Sequence, residues 1–254
     1  MGMAMETAQT ALAGQKVYSC RLLQRDRVAH QTLAIRVERP SGFTFRPGQY
    51  VDLTIVNEAD RDALGPVRSL SIASTPRDEY LEFVVRLRDT AFKRNLANLA
   101  IGSALFVEGP FDDLGFKQEN NRELVFLAGG VGVGPFMSVL RTARATGTAL
   151  TATLFYSNRR PEDAAYLAEL WRMEKEISGF RLVATMTRMP ESSQTWSGET
   201  GRLDLAFLKR YVRSWVGPAY YLVGSPGFIS QLRSALFSVG VQDSDIGLEM
   251  YAGY

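Results

Sequence analysis

The chain has 254 residues, 46% of them apolar, which leaves room for one large domain or two ordinary ones, each with a sizeable core. A single cysteine, Cys20, and a single histidine, His30, exclude an internal disulfide, a cysteine-built zinc site and a resident iron–sulfur cluster, and argue against a histidine metal site or a Ser/His triad. A net charge of +2 with interspersed signs points to neither nucleic acid nor a membrane surface, and no apolar run reaches the roughly 18 residues of a membrane span.

Residues 1–14 are small and polar, with no basic stretch and no apolar block, so they read as an unstructured leader rather than a secretory signal. Strand-like runs rich in alternating and β-branched residues follow at 17–23, 32–37, 50–55, 70–73 and 81–86. Turn chemistry separates them at Pro40-Ser41-Gly42, Pro47-Gly48 and Ser74-Thr75-Pro76. Short strands of this kind up to about Gly109, six in all around one helical stretch at 92–100, predict a closed antiparallel barrel.

After Arg122 the rhythm changes. Apolar runs at 124–128, 152–156, 181–185 and 219–223 alternate with helical stretches, including 135–145 and 161–177, which predicts a parallel sheet covered by helices. The expected organisation is therefore an antiparallel β-barrel domain over 15–118 and an α/β domain with a parallel sheet over 119–254, the boundary falling in the polar stretch from Lys117 to Arg122.

Ala128-Gly129-Gly130-Val131-Gly132-Val133-Gly134-Pro135 follows a strand and opens a helix. Glycine lets backbone approach a ligand, and a helix N-terminus offers free N–H groups to a pyrophosphate. Pro135 suits the first helical turn, where its missing donor costs nothing, although it stands where a GxGxxG motif has its third glycine. This turn alone is a weak signal, since a tight strand–helix connection has the same look.

Arg46-Pro47-Gly48-Gln49-Tyr50, then Arg68-Ser69-Leu70-Ser71, then Glu108-Gly109-Pro110-Phe111, the glycine turn, Val223-Gly224-Ser225-Pro226 and Glu249-Met250-Tyr251 occur in that order. This ordered set resembles the ferredoxin–NADP reductase superfamily, over nearly the whole chain from Gln15. Arg88-Asp89-Thr90-Ala91-Phe92-Lys93-Arg94 with the terminal Ala252-Gly253-Tyr254 is similar to a bacterial subgroup of short stand-alone reductases. The resemblance implies an FAD-binding barrel followed by an NAD(P)-binding domain.

Residue by residue, it implies that Arg68 meets the FAD pyrophosphate, with Ser69 and Leu70 beside it, and that the Ser71 hydroxyl lies near the flavin atom that receives hydride. Leu70 stands where the family has Tyr, so flavin stacking on that face is lost and only dispersion remains. Lys93 stands where the family's helix has Ser or Thr, so Lys93 or Arg94 is expected to replace a hydroxyl contact to phosphate. Gly130, Gly132, Gly134 and Pro135 would face the nucleotide pyrophosphate, Gly134 replacing a common Thr or Ser. Glu249 would hydrogen-bond near the nicotinamide, Tyr251 would cover the flavin face that the nicotinamide must reach, and Tyr254 would extend to the FAD adenine. Val223 replaces a common Cys, so no thiol takes part. Cys20 and His30 are expected to be bland.

An NAD site usually ends its second strand in an acid that binds the ribose 2′-hydroxyl. Here that strand ends Ser157-Asn158-Arg159-Arg160, and Thr187-Arg188 after the third strand looks like a 2′-phosphate-binding pair. Arg159, Thr187 and Arg188 therefore favour NADPH, with NADH still open because Glu162 and Asp163 are close by.

The function expected is a cytoplasmic, FAD-dependent NAD(P)H reductase, with no resident metal, passing electrons to a separate acceptor protein such as a ferredoxin, flavodoxin or oxygenase component. An NAD(P)H-dependent flavin or ferric reductase and a non-catalytic flavin-binding subunit are the alternatives. The subunit type that feeds dihydroorotate dehydrogenase is disfavoured because it needs a cysteine cluster. A monomer is expected, with no nucleic-acid or membrane partner.

Overall fold

The structure is a computed structural model that describes residues 16–55, 60–117 and 122–251. The leader, the centre of the expected domain boundary and Ala252-Gly253-Tyr254 lie outside the described residues. The first sheet is built from β1 (Val17–Ala29), β2 (Thr32–Glu38), β3 (Tyr50–Thr54), β4 (Val67–Ser71), β5 (Tyr80–Arg86) and β6 (Ala104–Phe111), with helix α1 (Ala91–Asn98) between the last two. Its strand order is β4-β3-β6-β1-β2-β5, and every pairing in it is antiparallel.

Strand β1 runs well past the predicted apolar run, through the polar Arg25-Asp26-Arg27. Its first part pairs with β6 and its second with β2, so one long strand bends the sheet round on itself. Leu22, Ile35, Val51, Leu53, Phe83 and Leu105 point inward and are fully buried. Just beyond the end of β4, Ala73 N donates to the Glu82 carbonyl of β5 at 2.8 Å, which draws the two edges together. Residues of both β4 and β5 line a cavity.

The second sheet is parallel, in the order β10-β9-β8-β7-β11-β12. Its strands and helices follow in the chain as β7 (Leu124–Gly129), α2 (Gly134–Thr146), β8 (Ala152–Asn158), α3 (Leu167–Glu176), β9 (Phe180–Met186), β10 (Glu199–Thr200), α4 (Leu205–Leu208), β11 (Ala219–Gly224), α5 (Pro226–Phe237) and β12 (Ile246–Met250). Apolar residues from both faces of β7 are buried, Phe126 among one set of helices and Val125 and Leu127 among the other, as a doubly covered parallel strand requires. The helix predicted over 161–177 is split: Pro161–Asp163 makes a single 3-10 turn, Tyr166 adopts φ +59°, and α3 starts only at Leu167. The left-handed residue breaks the helical ladder, a feature that helical periodicity does not register.

What holds the two sheets in register is polar. Glu82 of β5 is fully buried, and its carboxylate accepts from Arg141 of α2 at 2.6 Å, from Arg36 at 2.8 Å and from the Tyr166 hydroxyl at 2.9 Å. Arg141 also grips Glu169 of α3 through two bonds of 2.8 Å and the Ala73 carbonyl at 3.0 Å. Burial pushes the Glu82 carboxyl up, but the Arg141 charge and the hydrogen bonds from Arg141, Arg36 and Tyr166 outweigh it and hold the group below its ordinary value. Ser138 of α2 donates to the Ser74 carbonyl at 2.6 Å, and Arg86 reaches Asp163 at 3.2 Å.

Removing one partner from a buried ion pair strands the other, at roughly 3–5 kcal/mol. Glu82→Gln should therefore cost about that much, read as a lower urea midpoint by intrinsic fluorescence. A loss below about 1 kcal/mol would show that the contact is incidental to the docking of the two sheets.

Candidate active site

The cavity has a volume of about 420 Å³ and is lined from both domains. Arg68, Ser69, Leu70 and Ser71 come from β4, Val84, Val85 and Arg86 from β5, Thr90, Phe92 and Lys93 from the start of α1, and Glu249, Met250 and Tyr251 from the end of β12. That size falls in the range of small-molecule and cofactor sites.

At its inner end three residues meet. Ser71 Oγ donates to Glu249 Oε1 at 2.6 Å and is hydrogen-bonded to the Tyr251 hydroxyl. With Ser71 giving its one proton to the carboxylate, Tyr251 is the donor to Ser71, and the chain runs Tyr251 to Ser71 to Glu249. The placement follows from the sheets: β12 pairs with β11 so that Glu249 lies opposite Val223, and Tyr251 N donates to the Gly224 carbonyl at 3.0 Å. Glu249 is buried, and its Oε2 has no hydrogen-bond partner among the described residues. Burial pushes its carboxyl up to about 7; Ser71 works against this, and Asp113 and Asp112 add to it.

At the outer end Arg68 lies 5.2 Å over the Phe92 ring and donates through Nη1 to the carbonyls of Leu64 and Gly65, each at 3.0 Å. Its Nη2 is buried with no partner among the described residues. A buried guanidinium nitrogen left unsatisfied is costly, which suits it to an anion entering the cavity. Burial and the nearby charges of Arg88 and Arg68 bring the Lys93 ammonium down to about 8, a strain that a phosphate would relieve. Donor set and shape therefore fit a flavin with a phosphate-bearing tail. Ser69 is turned to Asp52, to which it donates at 2.5 Å, and Leu70 packs on the barrel core while touching the cavity. Arg94 is placed apart, in ion pairs with Asp60 at 2.7 Å and with Asp89, and does not line the cavity.

The glycine turn lies at the C-terminal end of β7. Gly130 to Val133 form one 3-10 turn and Gly134-Pro135 start α2. Gly130 takes φ +56°, and a Cβ on Gly132 would lie 2.3 Å from the Val223 carbonyl oxygen, so no larger residue fits there. A Cβ on Gly134 would meet the Val84 side chain of the barrel at 3.2 Å, a tight contact that Val84 would have to yield to. At the ends of β8 and β9, Arg188 N donates to the Arg159 carbonyl at 2.8 Å and Thr187 N to the Asn158 carbonyl at 2.9 Å, so Arg159, Thr187 and Arg188 form one exposed ledge. Arg160 is tied to Asp163 at 2.8 Å, whereas Arg188 has only an exposed pairing with Glu191 at 3.5 Å. Tyr254 lies outside the described residues; neither Cys20 nor His30 lines the cavity, although the His30 carbonyl accepts from Arg86, which does.

Residues 126–234 match the family model of the oxidoreductase NAD-binding domain. Over nearly its whole length the chain is similar to reductase components of monooxygenases. It is 30% identical, over 237 residues and 92% of its length, to the glycine betaine monooxygenase reductase subunit of Chromohalobacter salexigens, and covers 63% of that protein. It is 29% identical over 163 residues to the propane 2-monooxygenase reductase component of Mycolicibacterium goodii, matching 63% of this chain and 45% of that one. The chain thus spans less than two thirds of the length of these two relatives. The ferredoxin NADP+ reductase of Neisseria gonorrhoeae, solved with FAD and NADP bound, superposes with a TM-score of 0.76 at 20% identity, over 92% of this chain and 98% of that one. The Amycolatopsis cytochrome P450 reductase superposes with a TM-score of 0.80 at 22% identity, over 97% of this chain and 74% of that one.

The buried Glu249 carboxyl carries a testable titration. A carboxyl raised from about 4.5 to about 7 contributes stability that is complete below pH 4.5 and is lost as pH rises through 7. Glu249→Gln should therefore resemble the parent near pH 4 and be more stable by up to about 3 kcal/mol at pH 8, read from urea curves across that range. Equal pH slopes for the two proteins would place the Glu249 titration elsewhere.

Proposed function

We propose that this chain is an FAD-dependent NADPH reductase that supplies electrons to a separate protein acceptor, an oxygenase component being the class favoured by the names of its relatives. The observation that carries the reading is the Tyr251–Ser71–Glu249 hydrogen-bonded chain, made by one strand of the barrel and the end of the parallel sheet inside a shared cavity. When bound, FAD would supply the chemistry of taking a hydride from the nicotinamide and releasing electrons singly.

The protein's own part is binding, orientation and proton control. Arg68 and Lys93 hold the flavin's phosphates at the outer end of the cavity, with Ser69 and Leu70 as the wall between them and Ser71. Ser71 presents a hydroxyl whose orientation is set by Glu249. Glu249, with a carboxyl at about 7, holds or gives up a proton near neutrality through Ser71. Tyr251 occupies the space beside Ser71 and Gly134, so it has to yield when a nicotinamide ring enters. Gly130, Gly132, Gly134 and Pro135 let the nucleotide's pyrophosphate approach the start of α2. Arg159, Thr187 and Arg188 bind the 2′-phosphate and favour NADPH over NADH. Tyr254 is assigned to the FAD adenine and Arg94 to structure. The division at 118/119, a cytoplasmic location and a monomeric state are part of the same proposal. Among the described residues no helix is long and apolar enough to cross a membrane.

The direct experiment is to titrate the purified protein with FAD and then bleach the bound flavin with NADPH or NADH under anaerobic conditions, adding a panel of acceptors. Retained FAD and faster bleaching by NADPH are expected; a protein that binds no flavin overturns the reading. Ser71→Ala should retain FAD and slow the bleaching roughly ten- to thirtyfold in stopped flow, since a bond that strengthens in the transition state is lost. Bleaching at the parent rate would leave Ser71 a structural residue.

Arg188→Ala should raise KM for NADPH roughly ten- to a hundredfold and leave NADH nearly unaffected, because one charged contact to the 2′-phosphate is removed. A parent protein that prefers NADH by an order of magnitude would reverse the assignment of that ledge.

A further inference from the structure

Helix α1 opens onto the outer end of the cavity, where its N-cap Thr90 and the first-turn residues Phe92 and Lys93 line the wall beside Arg68. A helix N-terminus carries free N–H groups and a partial positive charge, so with two cations alongside it suits a phosphate. In this chain a side chain already takes part of that place. Asp62, in the connection between β3 and β4, accepts from Ala91 N at 2.6 Å through Oδ2 and from Leu64 N at 2.9 Å through Oδ1. Ala91 is the first residue of α1.

The connection is fastened to the helix at further points. The Asp60 carboxylate pairs with Arg94 at 2.7 Å, and Asn95 Nδ2 donates to the Asp60 carbonyl at 3.0 Å. Arg68 donates to the Leu64 and Gly65 carbonyls of the same connection. The hydrogen bond from Ala91 N holds the Asp62 carboxyl below its ordinary value; burial works against it, and Leu64 N and the charges of Arg68 and Arg94 support it. The carboxylate is therefore ionised at neutral pH; it takes up the Ala91 N–H at the start of α1, and its charge acts through space on the Arg68 guanidinium.

We infer that Asp62 competes with the flavin's phosphate groups for the start of α1 and for Arg68, and so lowers the affinity with which this chain retains its flavin. This rests on the flavin reading above. A second anion at this spot has either to displace the carboxylate or to share its cation with it, and both cost affinity. A flavin without a phosphate pays neither cost.

Asp62→Asn deletes the charge and keeps an oxygen that accepts from Ala91 N, and Asp62→Ser is a second neutral N-terminal acceptor. Apoprotein of the parent and of both variants is titrated with FAD and with riboflavin, following flavin fluorescence, at low salt and at 1 M salt. The expected result is FAD binding roughly two- to fivefold tighter in both variants at low salt, with the gain shrinking at high salt and riboflavin affinity unchanged. FAD affinity unchanged or weakened in both variants, or an equal gain for riboflavin, overturns the role of Asp62 and leaves the flavin reading standing. A parent apoprotein that binds neither FAD nor riboflavin overturns the flavin reading itself.

Discussion

The buried Glu82–Arg141 contact is the constraint on which the rest of the molecule depends. Glu82 belongs to the barrel and Arg141 to the first helix of the parallel-sheet domain, and the two meet at 2.6 Å with very little exposure of either side chain. A buried ion pair is weak evidence for stability, because desolvation consumes much of its Coulomb energy. Its value lies in specificity: Arg36, Tyr166, Glu169 and the Ala73 carbonyl are satisfied together only when both sheets take one relative position. That position brings the end of β4 against the end of β12, and Ser71 within 2.6 Å of Glu249.

From this follows a division of labour along the cavity. Its outer end is cationic, with Arg68 and Lys93, and Arg68 Nη2 has no partner among the described residues. Its inner end holds a buried acid near neutrality, joined to a hydroxyl and a phenol. A ligand with phosphates at one end and a proton-accepting ring at the other complements both. The ledge of Arg159, Thr187 and Arg188 is formed separately, from loops at the C-terminal ends of β8 and β9, where parallel sheets place ligands. The close approach of Gly134 to Val84 shows that the glycine turn lets the barrel come near.

The outer end also shows how a departure from a motif is absorbed. Where a hydroxyl is usual the chain has Lys93, and the helix start, N-capped by Thr90, also has its Ala91 N–H taken by Asp62. Adjacent basic residues proved to have different surroundings: Lys93 lines the cavity, while Arg94 turns to Asp60 and Asp89. The same holds for Arg159, exposed on the ledge, and Arg160, tied to Asp163.

The sequence by itself determined the two kinds of sheet, because alternation in the first half and continuous apolar runs in the second reflect burial on one face or on two. It also determined the glycine turn and the order of motifs, since these are local properties of backbone and turn chemistry. Arg68, Ser71, Glu249 and the glycines could thus be named from their motifs alone. It did not reveal the break at Tyr166, which depends on a single left-handed residue, nor the extension of β1 through Arg25-Asp26-Arg27, whose polar residues are held by pairing with β2. The Glu82 hub, the bond from Ala91 N to Asp62 and the difference between Lys93 and Arg94 were decided only by the tertiary structure. Each depends on which distant groups share one small volume, and no local pattern in a sequence records the electrostatics of residues that meet across 59 or 178 positions of chain.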